Sequence, residues 1–134
     1  MSTYNIFISH SWNYTDAYKG LINLLDQQTG NHFQYRNYSV PKDSPIHNAP
    51  TDRLLKEAIT NQMRPTSCIL ILAGVYATYS KWINIEIEIA QAMNKKIIAI
   101  EPWGSEKTST VVKAAAHEIV GWNSAPIVRA IRGF

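Results

Sequence analysis

Glu86 is the one acidic residue of this sequence whose neighbours could place a carboxylate out of water. It lies in Ser80-Lys81-Trp82-Ile83-Asn84-Ile85-Glu86-Ile87-Glu88-Ile89-Ala90, and its surroundings depend on whether that segment is strand or helix. As a strand, Ile83, Ile85, Ile87 and Ile89 point inward while Asn84, Glu86 and Glu88 point to water. As a helix, about 100° per residue gathers Asn84, Glu88 and Gln91 on a polar arc. Trp82, Glu86, Ile89, Ala90 and Met93 then share the opposite face. Glu86 becomes the lone charge of an apolar stripe, one turn from a tryptophan. An unpaired buried carboxylate costs several kcal/mol and seldom persists without a use. The helix makes Glu86 a candidate catalytic residue; the strand makes it ordinary.

Length and flanks select the helix. The pattern runs from about Tyr79 to Asn94, well beyond the ~5–6 residues of a usual strand. Ala90-Gln91-Ala92-Met93 are good helix formers, Asn94-Lys95-Lys96 suits a C-terminal cap, and Ser80 or Thr78 can supply the N-cap. On either side stand the apolar runs Cys68-Ile69-Leu70-Ile71-Leu72-Ala73 and Ile97-Ile98-Ala99-Ile100. Such runs read as parallel strands buried on both faces, and joining them requires a crossover, normally a helix.

The remaining elements follow the same alternation. Strand 1 is Tyr4 to Ser9. Helix 1, capped by Asn13 or Thr15, carries Tyr18, Leu21, Leu24 and Leu25 until Gly30 stops it. Strand 2 runs from about Phe33 to Ser39, and a polar loop from Val40 to Pro50 leads to a start signal at Thr51-Asp52. Helix 2 places Leu54, Leu55, Ala58, Ile59 and Met63 on one face and ends at Pro65. Strand 3 is Ser67 to Ala73 and strand 4 is Lys96 to Glu101. After the loop Pro102 to Ser109 come a short helix, Thr110 to Ala116, a strand, Glu118 to Trp122, and a final helix, Ala125 to Arg132. Five strands alternating with five helices predict a single α/β domain over residues 1–134, a three-layer, flavodoxin-like, doubly wound parallel sheet in the order 2-1-3-4-5. Ligands of that topology bind beyond the carboxyl ends of strands 1 and 3. Ser9-His10-Ser11-Trp12, Gly74-Val75-Tyr76 and the first turns of helix 3 fall there, beside Glu86.

Bulk properties narrow the setting. The chain has 134 residues and a formal net charge of +3, enough for one core and too little charge to favour nucleic acid, since its cations are scattered. The pI near 9.0 fits anionic small molecules. Nothing is long or apolar enough to span a membrane, and the start Met1-Ser2-Thr3-Tyr4-Asn5 has no signal-peptide pattern. The single cysteine, Cys68, sits in an apolar strand, reads as a core residue, and points to a reducing cytoplasmic home.

Several chemistries are excluded. A phosphoacceptor domain needs an aspartate closing strand 3, where Ala73-Gly74 stands, and an acidic pair after strand 1, where Ser9-His10 stands. A flavin or dinucleotide phosphate loop needs glycines after strand 1, and Ser-His-Ser-Trp-Asn has none. His10, His32, His47 and His117 have no metal-ligand spacing, so no metal is expected. A triad of Ser9 or Ser11, His10 and Asp16 is disfavoured, because adjacent side chains on a strand end diverge and no nucleophile elbow is present. Trp103 and Trp122 read as core or rim aromatics.

Two motifs carry a resemblance. Phe7-Ile8-Ser9-His10-Ser11, with Asp16 following, is similar to the first signature of Toll/interleukin-1 receptor (TIR) domains. Ser80-Lys81-Trp82-Ile83-Asn84-Ile85-Glu86 is similar to their Ser-x-Trp-x-x-x-Glu motif, whose glutamate is the catalytic residue of NAD-consuming members. Glu86-Ile87-Glu88-Ile89-Ala90 with Lys95-Lys96-Ile97-Ile98-Ala99-Ile100 resembles the compact bacterial and archaeal TIR-like branch that includes ThsB, the sensor of the Thoeris antiphage defence system. The similarity spans essentially the whole chain. It departs at Ile83, where the family often has a cysteine, and at the loop Tyr38 to Pro50, which does not match the BB loop of receptor TIR domains.

The resemblance implies an enzyme of NAD⁺ glycohydrolase or ADP-ribosyl cyclase type, with NAD⁺ as substrate and no cofactor. Nicotinamide is released, and the ADP-ribose becomes a signal nucleotide, cyclic or not, that activates a downstream effector protein. Self-association or a phage-derived trigger belongs to the same expectation. Glu86 is the implied catalytic residue, stabilising an oxocarbenium-like ribose and gripping its hydroxyls. Trp82 can stack on adenine or nicotinamide. Phe7, Ser9, His10, Ser11 and Tyr76 complete the implied substrate-binding set, although Ser9 and Ser11 can equally serve as caps of helix 1. Two alternatives stand beside this reading: a catalytically silent TIR interaction module braced by Glu86, and a nucleoside deoxyribosyltransferase-like enzyme.

Overall fold

The structure is a computed structural model; it describes residues 3–9, 17–28, 33–38, 52–73, 76–101 and 110–133, with backbone alone for residues 17, 52, 76–82, 110 and 111. The elements are β1 (Thr3–Ile8), α1 (Ala17–Gln27), β2 (Gln34–Asn37), α2 (Asp52–Met63), β3 (Cys68–Leu72), α3 (Tyr76–Ala92), β4 (Lys96–Ile100), α4 (Thr110–Ala115), β5 (Glu118–Val120) and α5 (Ser124–Arg132). The strands form one sheet in the order β2-β1-β3-β4-β5, parallel at every pairing. The doubly wound order expected from the alternation of elements is therefore the observed one.

Strand parity sorts the core into two layers. Successive side chains leave a strand on opposite faces. Ile6 and Ile8, Leu70 and Leu72, and Ile98 and Ile100 meet Leu21 and Leu25 of α1 and Ile127, Val128 and Ile131 of α5. The intervening residues, Phe7, Ile69, Ile71, Ile97 and Ala99, meet Leu55, Ile59 and Met63 of α2, Ile83, Ile87 and Ala90 of α3, and Val112 of α4. Every residue of β3 is buried, which explains why its sequence is a continuous apolar run and does not alternate.

Element ends differ from the sequence reading in instructive ways. α3 begins at Tyr76, three residues before Tyr79, because nothing in Ala77-Thr78-Tyr79 breaks a helix. Thr78 and Ser80 therefore lie inside it and are not its N-cap. At the other end Asn94 takes a left-handed φ of 56°. Lys95 N–H then donates to Ala90 O at 2.8 Å and Asn94 N–H to Gln91 O at 3.2 Å, closing the helix in a Schellman motif. The buried face of α3 comprises Ile83, Glu86, Ile87, Ile89 and Ala90, with Met93 half-buried. Ile83 and Ile87 are buried beside Glu86, Ile89 and Ala90, because both pack into the core layer of Phe7, Ile69 and Ile71. Asn84, Glu88 and Gln91 are exposed as expected.

On α2, Leu54 is 40% exposed and lies off the buried row of Leu55, Ile59 and Met63. β5 ends at Val120, leaving Trp122 half-buried against the core beside α1. The expected caps Asn13 and Thr15, the stop at Gly30, the loops 40–50 and 102–109, and Trp103 lie outside the described residues. No described helix is long and apolar enough to cross a membrane.

Candidate active site

The carboxyl end of β1 is fixed by backbone bonding to β3. Ile8 stands opposite Leu70, and Ser9, one residue past the strand, donates its N–H to Leu70 O at 2.8 Å. Parity then decides where the Ser9 side chain goes. Phe7 faces α2 and α3, so Ser9, two residues on, faces them too. α3 brings Glu86 to the same place because Ile83, Ile87 and Ala90, three and four positions away, are packed under the sheet.

The two polar side chains meet in the interior. Ser9 Oγ donates to Glu86 Oε1 at 2.6 Å, within the range of O–H···O⁻ bonds. Glu86 is 0% exposed and Ser9 1%. Among the described residues Thr66 is the other buried polar side chain, and its hydroxyl closes α2 by donating to Met63 O at 2.6 Å. Glu88, two positions along α3, behaves differently. It is exposed and pairs with Lys56 at 3.0 Å, a surface contact worth about 0–1 kcal/mol. Such an arrangement can offer a desolvated, oriented carboxylate at the switch point of the sheet, where negative charge acts strongly on a developing cation.

The expected site residues separate into three groups. Ser9 and Glu86 are brought together. Phe7 is 1% exposed within the core cluster, so its ring is a packing group. The backbones of Tyr76 and Trp82 lie in α3, with Tyr76 its first residue and Trp82 four residues before Glu86; their side chains, with His10 and Ser11, lie outside the described residues. Sequence reasoning gave Ser9 to substrate or to capping and missed its bond to Glu86. The signal that could have found it was the parity of Phe7 and Ser9 combined with the buried face of helix 3.

Other reactive groups are absorbed by structure. Burial pushes the Cys68 thiol up to about 12, against smaller opposing effects of Ser67 and Lys96. His117 accepts the Ile97 N–H on Nδ1 at 3.0 Å while its own N–H donates to Ile97 O at 2.8 Å. That contact precedes β5, at the opposite end of the sheet from Ser9. Among the described residues no group of His, Cys, Asp and Glu could hold a metal ion.

Comparison with known proteins adds the family. The model of the Thoeris protein ThsB, TIR-like domain, matches residues 7–107. No curated protein matches the chain. Among solved structures, a CMP N-glycosidase, BcmB, of Clostridium botulinum is similar at TM-score 0.53 and 14% identity over 96% of this chain and 97% of that one. A 3-dehydroquinate dehydratase-like protein of Bifidobacterium longum is similar at TM-score 0.51 and 6% identity over 98% and 94%. These likenesses bear on the fold alone. The family match spans most of the chain and includes Ser9 and Glu86: the protein belongs to the TIR-like domain family of the Thoeris protein ThsB.

Proposed function

We propose that the protein cleaves the nicotinamide–ribose bond of NAD⁺, with Glu86 as the catalytic carboxylate. The ADP-ribose part becomes a signal nucleotide for an effector protein in antiphage defence. The observation that carries this reading is the fully buried Glu86 held by Ser9 at the carboxyl end of β1. Cleavage breaks the bond between ribose C1′ and the nicotinamide nitrogen. The electron pair leaves with nicotinamide, which becomes neutral, and positive charge develops on the ribose. A carboxylate outside water stabilises that charge without first shedding a hydration shell. Capture of C1′ by water, with loss of a proton, gives ADP-ribose. Capture by a nucleophile of the adenosine part, with loss of its proton, gives a cyclic isomer.

Trp82, His10, Ser11 and Tyr76 are the proposed substrate contacts, and the cytoplasm, where NAD⁺ is available, is the proposed setting. Complete burial of Glu86 also supports an enzyme that idles until a trigger or self-association opens the way to it. Purified protein given NAD⁺, with and without extract of phage-infected cells, is expected to release nicotinamide and an ADP-ribose-type product identified by mass spectrometry. Intact NAD⁺ under both conditions contradicts the reading. A second reading, cleavage of a nucleoside or nucleotide N-glycosidic bond, is favoured by the fold shared with a CMP N-glycosidase. Turnover of CMP or deoxynucleosides with NAD⁺ untouched would establish it.

A further inference from the structure

We infer that Ser9 is a positioning residue for Glu86 and not a ligand of the substrate; this rests on the proposed role of Glu86. Three observations carry it. The Ser9 main chain is pinned by its N–H bond to Leu70 O at 2.8 Å, so its short side chain has only χ1 left to vary, with three staggered positions for Oγ. Strand parity puts that side chain on the layer of α2 and α3, the layer of Phe7. Its hydroxyl hydrogen is directed at Glu86 Oε1 over 2.6 Å, with both residues at or below 1% exposure.

A substrate ligand must present its polar atom to an entering molecule. The Ser9 hydroxyl instead directs its one proton to the carboxylate. Shielded from bulk solvent, that donated bond stabilises the charged carboxylate and fixes the direction of one of its oxygens. Ser9 therefore sets how Glu86 meets the ribose, while contact with the nucleotide falls to other residues. A structure of a dinucleotide complex is not needed to separate the two roles, because they move different kinetic constants.

The test combines kinetics with unfolding. In steady-state nicotinamide release, Ser9→Ala is expected to lower kcat about 10- to 100-fold, the worth of one hydrogen bond to a charged group, with KM unchanged within about twofold. A raised KM with kcat retained makes Ser9 a substrate ligand and overturns the inference; both constants retained with a lowered Tm makes the bond merely structural and also overturns it. The link itself is read without any activity. Ser9→Ala is expected to lower Tm in the Glu86 background and to lower it distinctly less in a Glu86→Leu background. Equal losses in both backgrounds refute the coupling even if NAD⁺ is cleaved, whereas coupling in a protein that leaves NAD⁺ intact refutes only the proposed reaction.

Discussion

Exchanging Glu86 for glutamine removes a charge from a position that water does not reach while keeping an oxygen that can accept from Ser9. Desolvation of a carboxylate opposes folding, and a group retained for function commonly costs stability. Glu86→Gln is therefore expected to leave urea-measured stability unchanged or to raise it by about 1–2 kcal/mol. A loss above about 2 kcal/mol would mark Glu86 as a brace of the fold. Glu88→Gln, at an exposed ion pair with Lys56, is expected to change stability by less than about 1 kcal/mol and to leave NAD⁺ cleavage intact. The burial of Glu86 was legible in the sequence, because helical spacing surrounds it with isoleucine and alanine. Its partner was not, because Ser9 is 77 positions away and only the pairing of β1 with β3 brings the two together.

Helices and strands here are joined by contacts that use up polar groups the sequence leaves ambiguous. Lys95 and Lys96 are the adjacent cations of an otherwise scattered set, and each closes the end of a different helix. Lys95 Nζ donates to Arg64 O just past α2 at 2.9 Å, and Lys96 Nζ donates to Ala130 O in the last turn of α5 at 2.9 Å. Opposite parity at the start of β4 sends them to opposite layers. Gly20 illustrates a tighter constraint. A Cβ there would stand 2.7 Å from Trp122 Cζ2, so α1 approaches the indole closely only because this residue is glycine. Alanine would gain about 1 kcal/mol of helix propensity, but overpacking a rigid ring costs about 1–3 kcal/mol. Gly20→Ala is expected to lose about 1 kcal/mol net in urea unfolding, and a gain would show that Trp122 moves aside freely. Element types were legible from period and composition; ends were less so, as α3 starting at Tyr76 and β5 ending at Val120 show. Caps and strand ends depend on partners in other elements, and Ala77-Thr78-Tyr79 carries no stop signal of its own.

The sheet divides the molecule into two cores, and β1, β3 and β4 contribute side chains to both. Cys68 reports on the closure of β3 directly. It is buried in β3, and burial holds its thiol near 12, far above the pH of ordinary labelling. The thiolate is the reactive form, so a disulfide reagent at pH 8 is expected to leave the native protein unlabelled and to modify it at the rate of unfolding in urea. Rapid native labelling would contradict a closed β3. The order β2-β1-β3-β4-β5 was legible because five strands alternate with helices over a chain of this length, with the continuously apolar Cys68–Leu72 and Ile97–Ile100 marking the buried parallel strands. That order placed the carboxyl end of β1 beside α3, and with it Ser9 beside Glu86.

The most direct measurement is nicotinamide release from NAD⁺ by the wild-type protein and by Glu86→Gln, assayed side by side under the condition that gives the wild type its highest rate. The buried carboxylate is expected to account for the reaction, so the variant should lose at least about 10³-fold in kcat at an undiminished Tm. A folded Glu86→Gln protein that still releases nicotinamide at the wild-type rate would contradict it.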